Sequence, residues 1–553
     1  MPSRGVRWYI KLVGARQRKG FCIAKASPPR KMHLLSGLLP ALVLLGTASA
    51  APRSHSRNRE LPIVDLGYVR QQATEFNETA QVYIYRNVRF AAPPLGDLRL
   101  RKPQAPLKEN GIQNGALGRD TACAQLNSTG ALIGSEDCLF LDVYVPKAIC
   151  GQGKQVPVLA WWYGGGYTNG AKDSDGSPWG IFDQASEPFI FVSSNYRLGT
   201  LGFIAPPDED VDKNIGLHDT RMAMDWIGKY ISKFGGDTEK ITVMGISAGA
   251  GVILHQIVSY GGNGTKLPFQ QAILQSPGWS PEANEGGRIP LWNAFKNNTG
   301  CGDATCIRKL STAKVQLANV QTVAQWQSGA LGSTSGLFPI VDGDFIPDFP
   351  VKLLADEKFH KEVKSIISSS TRYEGGYYVP TTVTDAQFPL LIASQFTTNQ
   401  TIIQRLLAEY PSDGTPESGY KRAVAAVGDL AFNCNGYWVA RAFSEEKDTG
   451  HSARRYMFNL GSAIHSSDLT YTFDDGGKYQ APNETLAEKH QRLIADFVSE
   501  GEASLSKWPE WSEESAKALW LNATGLAVGD DFYHWAVNVD RCEFIKDEIL
   551  GKG

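Results

Sequence analysis

One serine in the chain stands between small residues, in a pattern that can expose a nucleophile. Ser247 lies in MGISAGAG (244–251), with Gly245 two residues before it and Gly249 two residues after it. In a G-x-S-x-G motif the serine occupies a strained turn between a strand and a helix, where bulk two positions away would clash. Small residues also let a helix pack close to a sheet, and a chance match is common. The motif therefore needs support from the rest of the sequence.

An activated serine needs a histidine that removes its proton and a third group that orients that histidine. Where such a serine follows a strand, the usual chain order is serine, acid, histidine. His465, in LGSAIHSSD, lies on a small polar loop after an apolar segment, which favours it as the base over a buried structural role. His451 and His534 lack that context. His490 lies in the charged segment LAEKHQRLIADFV and is predicted to face solvent.

The acid and the oxyanion donors are predicted from two further turns. Glu374, in SSSTRYEGGYY, follows a short apolar segment and precedes two glycines, although a surface turn would look similar. The segment WWYGGGY (161–167) brings a glycine run to the end of another apolar segment, where the backbone could approach a substrate closely. A plain flexible turn is the alternative. We expect the amides of Gly165, Gly166 and Ala248 to bind the oxyanion.

Strands and helices alternate along the middle of the chain, which predicts how these residues are positioned. Helices are predicted over 217–234 and 248–260. Strands are predicted over 156–163, 188–194, 240–245, 270–275, 363–369 and 454–460. Such alternation indicates an α/β fold with a mostly parallel central sheet, helices on both faces, and helical and loop insertions around a pocket. Its carboxyl edge is where functional groups gather.

The N-terminal residues read as a targeting segment. The apolar run at 34–46 is 13 residues long, too short to span a bilayer, and Ala48 and Ala50 form an A-x-A cleavage pattern. Residues 1–31 carry nine basic side chains and no acidic one, so Met32 is the favoured start. We expect residues 1–50 to be an extension plus signal peptide cleaved after Ala50, and residues 51–553 to form one secreted domain without a stable membrane anchor.

The net charge of the mature chain argues against nucleic-acid binding. Removal of residues 1–50 leaves 46 Lys and Arg against 57 Asp and Glu, a net charge of −11. Such a chain is repelled by nucleic acid and by an anionic membrane surface. A small-molecule partner is expected instead.

Cysteines and sequons suit an oxidising compartment. No C-x-x-C pair occurs in the mature chain, so neither a metal site nor a redox site is expected. The mature cysteines are Cys123 and Cys138 around a 14-residue loop, Cys301 and Cys306 around a 4-residue loop, the distant Cys434 and Cys542, and Cys150. Candidate glycosylation sites are Asn77, Asn127, Asn263, Asn297, Asn399, Asn483 and Asn522.

From about residue 65 to 545 the chain resembles the type-B carboxylesterase/lipase family, which includes the cholinesterases and the fungal extracellular lipases. SEDCLFLDVYVP (135–146) is very similar to that family's second signature. Further similar blocks are RFAAPPLGDLRL (89–100), SNYRLGTLGF (194–203), NIGLHDTRMAMDWI (214–227), KFGGDTEKITVMGISAGA (233–250) and FPIVDGDFIPD (338–348).

The resemblance implies an α/β-hydrolase fold with Ser247, Glu374 and His465 as the catalytic residues. It also implies three disulfide bridges, Cys123–Cys138, Cys301–Cys306 and Cys434–Cys542. The expected activity is hydrolysis of a carboxylic ester by a secreted enzyme, through an acyl-enzyme on Ser247, with no metal or organic cofactor. Alternatives are a lipase or sterol esterase, a non-catalytic adhesion protein, and a protease of the same fold.

Three departures from the family pattern bear on the substrate. Ile246 stands where the family usually has Glu, and Tyr163 stands where it usually has His before the glycines. The loop between Cys123 and Cys138 contains no tryptophan, which argues against a choline ester, and it is too short for a long lid. Tyr163 makes the glycine segment more similar to that of the fungal lipases, whereas the missing lid favours a soluble ester over a lid-gated lipase substrate.

Overall fold

The computed structural model describes residues 61–116, 122–150, 153–279, 288–327, 336–396, 399–445, 450–505, 507–531 and 539–550. The predicted signal segment and cleavage site within 1–50 lie outside the described residues, and so does His534. The rest of the molecule is organised around one large twisted sheet.

The strands have the following bounds: β1 Ile63–Asp65, β2 Arg70–Gln72, β3 Glu75–Asn77, β4 Val82–Arg89, β5 Ile112–Gln113, β6 Gln125–Leu126, β7 Leu132–Ile133, β8 Phe140–Pro146, β9 Val156–Trp162, β10 Ile190–Ser194, β11 Gly236–Ile246, β12 Gln271–Gln275, β13 Ser365–Thr371, β14 Ser452–Asn459, β15 Lys517–Asn522 and β16 Gly525–Asp530. Eleven of them form the main sheet in the order β16-β15-β14-β13-β12-β11-β9-β10-β8-β4-β3. The strands from β10 to β15 pair in parallel, and the pairs at both margins are antiparallel. The predicted mostly parallel sheet is therefore confirmed.

The α-helices are α1 Trp179–Gln184, α2 Gly199–Phe203, α3 Ile215–Tyr230, α4 Ala248–Ile257, α5 Arg288–Thr299, α6 Ala304–Arg308, α7 Thr312–Gln327, α8 Pro350–Ala355, α9 Phe388–Gln395, α10 Gln400–Glu409, α11 Ser418–Gly428, α12 Cys434–Glu445, α13 Leu469–Thr472, α14 Glu484–Glu500 and α15 Val539–Phe544. Short 3₁₀ segments are Gly96–Leu98, Lys147–Ile149, Ile231–Lys233, Ser259–Gly262, Glu374–Tyr377 and Gly501–Leu505, and π-helical segments are Asp429–Asn433 and Ile545–Ile549.

The side chains of β9 show why the sheet is covered on both faces. Val158 and Trp162 point into one apolar cluster, which includes residues of α3 and α4. Leu159 and Trp161 point to the opposite face, into a second cluster with residues of α1 and α14. Because successive strand residues alternate between faces, a strand buried on both sides reads as a continuous apolar run. The same reason explains why the apolar runs in the sequence predicted these strands.

Strand ends differ by a few residues from the prediction where a strand extends beyond its apolar part. The strand predicted over 240–245 is the buried half of β11, which begins at Gly236 with a partly exposed polar stretch and a register shift against β9. Polar residues in that half carry no apolar signal, so the sequence predicted only the part that lies in the core.

The predictions for the cysteines and the sequons can be compared with the structure. The structure contains the three expected bridges, Cys123–Cys138, Cys301–Cys306 and Cys434–Cys542, and leaves Cys150 outside them. None of the seven sequon asparagines is buried. Within the described ranges, no helix has both the length and the apolar character needed to cross a bilayer.

Candidate active site

Ser247 occupies the sharp turn that joins β11 to α4. Its φ of 55° and ψ of −125° lie in a region that non-glycine residues rarely adopt, so the backbone is strained there. The Ser247 amide donates to the Gln275 carbonyl at 2.9 Å, and the Gly278 amide donates to the Ser247 carbonyl at 2.9 Å. These two bonds hold the strained residue at the carboxyl edge of the sheet.

Gly245 and Gly249 are small because the turn leaves them no room. A Cβ on Gly245 would lie 2.6 Å from the backbone of Gly249, and a Cβ on Gly249 would lie 2.1 Å from the carbonyl oxygen of Trp162. Real Cβ atoms do not make such contacts. The steric reason for the G-x-S-x-G spacing is thus visible in this chain.

Three side chains form a continuous hydrogen-bonded row. The Oγ of Ser247 lies 2.7 Å from Nε2 of His465, and Nδ1 of His465 lies 2.6 Å from Oε2 of Glu374. All three residues are at most 5% exposed. When a carboxylate accepts a hydrogen bond from Nδ1–H, the lone pair on Nε2 faces the serine hydroxyl. The structure therefore brings together the three residues predicted from separate segments.

The carboxylate of Glu374 is held on both of its oxygens. Oε2 contacts His465, while Oε1 accepts from the Ser276 hydroxyl at 2.6 Å and from the Thr371 amide at 2.6 Å. The turn of Glu374 is also tied to the loop of His465, because the Tyr373 amide donates to the Ala463 carbonyl at 2.9 Å. The distance between acid and imidazole is fixed by backbone as well as by side chains.

The glycine loop after β9 lies beside Ser247. A Cβ on Gly164 would lie 3.0 Å from Cβ of Ser247, and Gly165 and Gly166 have φ of +105° and +59°. Among the hydrogen bonds of the described residues, the amides of Gly165 and Gly166 have no protein acceptor. Ala248 begins α4, so its amide has no acceptor inside the helix. Of the three residues predicted for the oxyanion, Gly166 and Ala248 line the pocket at Ser247, and Gly165 is not among its lining residues.

A small pocket with a cavity volume of about 30 Å³ opens at Ser247. Its wall combines six separate segments of the chain, and most of the side chains are apolar or aromatic. The lining residues are Gly166, Tyr167, Ser247, Ala248, Gly278, Trp279, Phe338, Tyr378, Ala431 and Phe432. Such a wall accepts an apolar group bonded to the carbon that Ser247 would attack.

Aromatic rings enclose the imidazole on the pocket side. The ring of Phe432 lies 4.0 Å from that of His465, and the ring of Tyr378 lies 5.5 Å from it. Phe432 and Tyr378 are stacked on each other with an interplanar angle of 18°. Phe432 belongs to the π-helical segment between α11 and α12, a geometry that often marks functional sites.

A second buried carboxyl group, Asp468, lies three residues after His465. Its Oδ2 accepts from the Tyr456 hydroxyl at 2.8 Å, and Gln275 lies at 3.3 Å. Burial raises the pKa of Asp468 to about 6, and the charge of Glu374 adds to that rise. Asp468 is therefore neutral in acid and becomes charged near neutral pH, inside the protein.

The prediction that His490 faces solvent is wrong. His490 is 2% exposed on α14, its ring packs against Tyr456, and its Nε2 lies 3.3 Å from the Thr472 hydroxyl. Burial lowers the pKa of His490 to about 4. His451 is buried too, with Nε2 at 3.1 Å from the Lys361 carbonyl oxygen. Neither histidine is in the hydrogen-bonded row of Ser247.

Several residues of the site were missed by sequence reasoning. Tyr378 and Asp468 each lie three or four residues after a predicted site residue, so the helical spacing of those short stretches could have indicated them. Trp279, Phe338 and Phe432 come from segments whose apolar residues resemble any core residue, and no sequence signal distinguishes them. Within the described ranges, no group of three or more His, Cys, Asp or Glu residues is arranged to hold a metal ion.

Comparisons with known proteins agree with this architecture. Residues 60–537 match the model of the carboxylesterase family. "Carboxylesterase patB" of Aspergillus clavatus is 34% identical, over 91% of this chain and 98% of that protein. "Secreted triacylglycerol lipase LIP1" of Gibberella zeae is 29% identical, over 85% of this chain and 88% of that protein.

Solved structures show the same fold. The crystal structure of Aspergillus niger EstA is 26% identical and superposes with a TM-score of 0.76, covering 88% of this chain and 98% of that one. The family match spans most of the chain, and the relatives are named carboxylesterases and lipases. This chain is a member of the carboxylesterase family and has the α/β-hydrolase fold of an enzyme that hydrolyses carboxylic esters.

Proposed function

We propose that Ser247, His465 and Glu374 are the catalytic residues of a secreted carboxylic-ester hydrolase. The observation that carries the proposal is the unbroken row from Ser247 Oγ to Glu374, with heavy-atom distances of 2.7 Å and 2.6 Å. Both contacts fall in the range that proton transfer and imidazole orientation require. The row ends at a pocket, so the nucleophile faces a space that a substrate can enter.

The reaction proceeds in two acyl-transfer steps. His465 Nε2 takes the proton of Ser247 as Oγ attacks the ester carbonyl carbon, and the electron pair of the C=O bond moves onto oxygen. The C–O bond to the alcohol then breaks, and the alcohol leaves with the proton from His465. Water repeats the sequence on the acyl-enzyme, and the carboxylic acid leaves. Glu374 stabilises the imidazolium that forms in both steps.

The amides of Gly165, Gly166 and Ala248 bind the oxyanion in this scheme. Their positive-φ loop and helix-start positions leave N–H groups unused inside the protein, and a negative oxygen gains most from donors that need no rearrangement. The N-terminus of α4 adds the favourable end of a helix dipole. No metal or organic cofactor is required by any of these steps.

The pocket supports a small apolar acyl group on a soluble ester. Its cavity volume of about 30 Å³ is far below that of drug-sized ligand sites, and Trp279 and Phe338 lie in its wall. The loop between Cys123 and Cys138 contributes only the two-residue strands β6 and β7, which is far smaller than a lid. Both features favour a substrate that enters from water.

Secretion and domain organisation belong to the same proposal. The apolar run at 34–46, the cleavage pattern at Ala50, the three disulfides and the accessible sequons all suit an extracellular protein. We propose that residues 51–553 form the mature chain as a single domain. N-terminal sequencing of the protein recovered from culture medium should give Ala51.

The test of the catalytic assignment is Ser247→Ala. The variant should fold normally and lose ester hydrolysis by at least several-thousand-fold, because only the nucleophile is removed. Hydrolysis of p-nitrophenyl acetate and covalent labelling by a fluorophosphonate probe measure the two consequences. Wild-type protein should be labelled at Ser247 alone, and retained turnover in the variant would refute the assignment. A non-catalytic protein of this fold would give neither labelling nor turnover.

A further inference from the structure

Two segments of the chain supply the pocket-lining donors of the proposed oxyanion hole. Gly166 belongs to the glycine loop after β9, and Ala248 follows Ser247 at the start of α4. Their amides can bind one oxygen without rearrangement only if the two segments are held at a fixed spacing, and an oxyanion gains most from donors that need no rearrangement. The side chain of Tyr167, the residue after Gly166, connects the two segments through Gly278.

The connection consists of two hydrogen bonds on either side of Gly278. The hydroxyl group of Tyr167 donates to the Gly278 carbonyl oxygen at 2.6 Å, and the Gly278 amide donates to the Ser247 carbonyl oxygen at 2.9 Å. Gly278 also packs against the peptide that follows Ser247, since a Cβ on Gly278 would lie 3.0 Å from the Ser247 carbonyl carbon and 3.3 Å from the Ala248 nitrogen. A shift of the glycine loop is therefore transmitted to the turn of Ser247 through one intervening residue.

Tyr167 is held in a backbone conformation that tyrosine rarely adopts. Its φ is +62°, in the left-handed region, and the residue is 4% exposed. Its carbonyl oxygen accepts from the Gly199 amide at 2.8 Å, and its ring packs edge-to-face on Phe203 with 5.0 Å between centroids. Such strain persists only where the surrounding contacts determine the conformation. Burial also raises the pKa of Tyr167, which keeps the hydroxyl group protonated and able to donate.

Gly251 on α4 leaves the space that the Tyr167 hydroxyl group occupies. A Cβ on Gly251 would lie 2.2 Å from that hydroxyl oxygen and 2.1 Å from the Gly278 carbonyl oxygen. Gly251 lies inside α4 and has no left-handed φ, so its backbone conformation does not require glycine. Because glycine inside a helix is less stable than alanine, the space for the bond between Tyr167 and Gly278 is a physical reason for its presence.

We propose that Tyr167 is a positioning residue, whose hydroxyl group fixes the glycine loop to the turn of Ser247 through Gly278 and so sets the spacing of the oxyanion donors. This role rests on the proposed function of Ser247. In acylation Ser247 Oγ adds to the carbonyl carbon, and in deacylation water adds to it. In both steps the C=O bond pair moves onto oxygen and the proton of the attacking group passes to His465. Misplaced donors therefore slow both steps by a similar factor, which lowers kcat and leaves KM nearly unchanged.

Tyr68 provides a matched control away from the pocket. Its hydroxyl group donates to the Arg89 carbonyl oxygen at the same distance of 2.6 Å, and it accepts from Trp226 Nε1 at 2.9 Å. Tyr68 does not line the pocket at Ser247. Tyr167→Phe and Tyr68→Phe each remove a hydroxyl donor from a backbone carbonyl and keep the ring. They differ in whether that carbonyl belongs to the segment packed against Ser247.

The experiment compares hydrolysis of p-nitrophenyl acetate with inhibition by 1,1,1-trifluoroacetone, using the full mature protein. Ser247 Oγ adds to the ketone carbon, and the resulting hemiketal has an oxyanion like that of the reaction. In Tyr167→Phe kcat should fall about tenfold or more, because small displacements of reacting groups are costly, while KM stays within about threefold of wild type. The inhibition constant of the ketone should rise by about the same factor. Tyr68→Phe should match wild type in kcat, KM and inhibition constant, although its melting temperature should fall at least as much.

Gly251→Ala tests the same contact from the side of α4. The added Cβ must displace the Tyr167 hydroxyl group or the Gly278 carbonyl, so this variant should show the same joint change in kcat and in the inhibition constant of the ketone. Gly251 does not line the pocket, so the change cannot come from a smaller space for the substrate. This second variant decides the proposal if Tyr167→Phe does not fold.

The other outcomes are separable. A wild-type kcat in Tyr167→Phe, an equal loss of kcat in Tyr68→Phe, a rise in KM alone, or a fall in kcat with an unchanged inhibition constant would each overturn the positioning role. The proposed function would stand in each case, because fluorophosphonate labelling of the wild type and loss of activity in Ser247→Ala test it separately. Failure of those two tests would remove both proposals.

Discussion

Gly249 lies against the end of β9 so closely that a side chain at this position would meet the carbonyl oxygen of Trp162 at 2.1 Å. The contact joins the first turn of α4 to the strand that precedes the glycine loop. Any movement there changes the position of Ser247 relative to the oxyanion amides, because both are attached to these two elements. Gly249 is therefore a spacer between Ser247, the proposed nucleophile, and the amides of the proposed oxyanion hole.

Gly249→Ala should lower both stability and activity. The obstacle is backbone, which cannot rotate away, so α4 must shift. We expect a loss of about 1–3 kcal/mol in the free energy of unfolding and at least a tenfold loss in kcat/KM, since small displacements of reacting groups are costly. Gly302→Ala is the control, because a Cβ at Gly302 meets nothing within 4 Å. Denaturant unfolding and ester kinetics on both variants measure the two losses. An unchanged kcat/KM in Gly249→Ala would contradict the spacer role.

Glu374→Gln should reduce kcat about a thousandfold or more and leave KM within a few-fold. The amide has no charge to stabilise the imidazolium, and its NH₂ group can force the wrong tautomer on His465. The measurement is kcat for p-nitrophenyl acetate, with the melting temperature as a check on folding.

The chain contains a second Glu–His pair that serves as the control. Glu362 accepts from His360 Nδ1 at 3.1 Å, and the pair lies away from the pocket of Ser247. Glu362→Gln should keep kcat within about threefold, although both substitutions remove one carboxylate beside a histidine. A similar loss in the two variants would show that the effect is structural rather than catalytic.

Asp468→Asn should become more stable relative to wild type as the pH rises. Burial raises the pKa of Asp468 from 3.8 to about 6, so the folded state prefers the protonated form. The stabilisation of the folded state by protonated Asp468 is fully present below pH 3.8 and is lost as the pH rises through 6. Asparagine keeps an acceptor for Tyr456 and never ionises. The difference in unfolding free energy should move in favour of the variant by up to about 3 kcal/mol between pH 4 and pH 8.

Denaturant midpoints at several pH values measure this difference. Asp413→Asn is the opposite case, because an exposed carboxylate with side-chain and backbone hydrogen bonds from Thr415 has its pKa lowered. Its difference from wild type should be flat between pH 5 and pH 8. If the difference between Asp468→Asn and wild type also stays constant with pH, ionisation of Asp468 does not destabilise the folded protein.

Trp279→Ala should shift the preference toward longer acyl chains. Trp279 walls the pocket, and its removal creates space for added methylene groups, each worth about 0.8 kcal/mol when buried. The ratio of kcat/KM for the octanoyl ester to that for the acetyl ester should rise at least tenfold. Leu390→Ala removes an exposed apolar side chain from α9 and should leave the ratio unchanged. If this ratio of kcat/KM values is unchanged in both variants, the acyl group does not bind beside Trp279.

Local sequence patterns predicted the buried strands and the site residues that follow them. The runs before Ser247, Glu374 and His465 are strands buried on both faces, which appear as continuous apolar segments, and the residues after them gather at one edge of a parallel sheet. Topology thus brings together residues that are distant in the chain. The β11 boundary was predicted less well because its first half is polar.

Long-range packing was beyond the same reasoning. The ring centroids of Phe432 and His465 are 4.0 Å apart because tertiary packing brings the π-helical segment between α11 and α12 to the pocket, and no local pattern encodes that packing. His490 was assigned to solvent from the charges around it, although Ala487, His490, Gln491 and Ile494 lie at helical spacing and are all buried. The helical spacing of the buried residues predicts the burial of His490 better than the charges around it do.

The sequence separation of 218 between Ser247 and His465 affects when activity can appear during synthesis of the chain. On the proposed assignment, a ribosome-bound chain that ends before residue 465 has the nucleophile but not the base, so it has no esterase activity until β14 has joined the sheet. Contacts this far apart in sequence form late, since closing so long a loop is entropically costly. Esterase activity would therefore appear only when folding is complete. The unfinished chain would not hydrolyse esters in the compartments through which it passes.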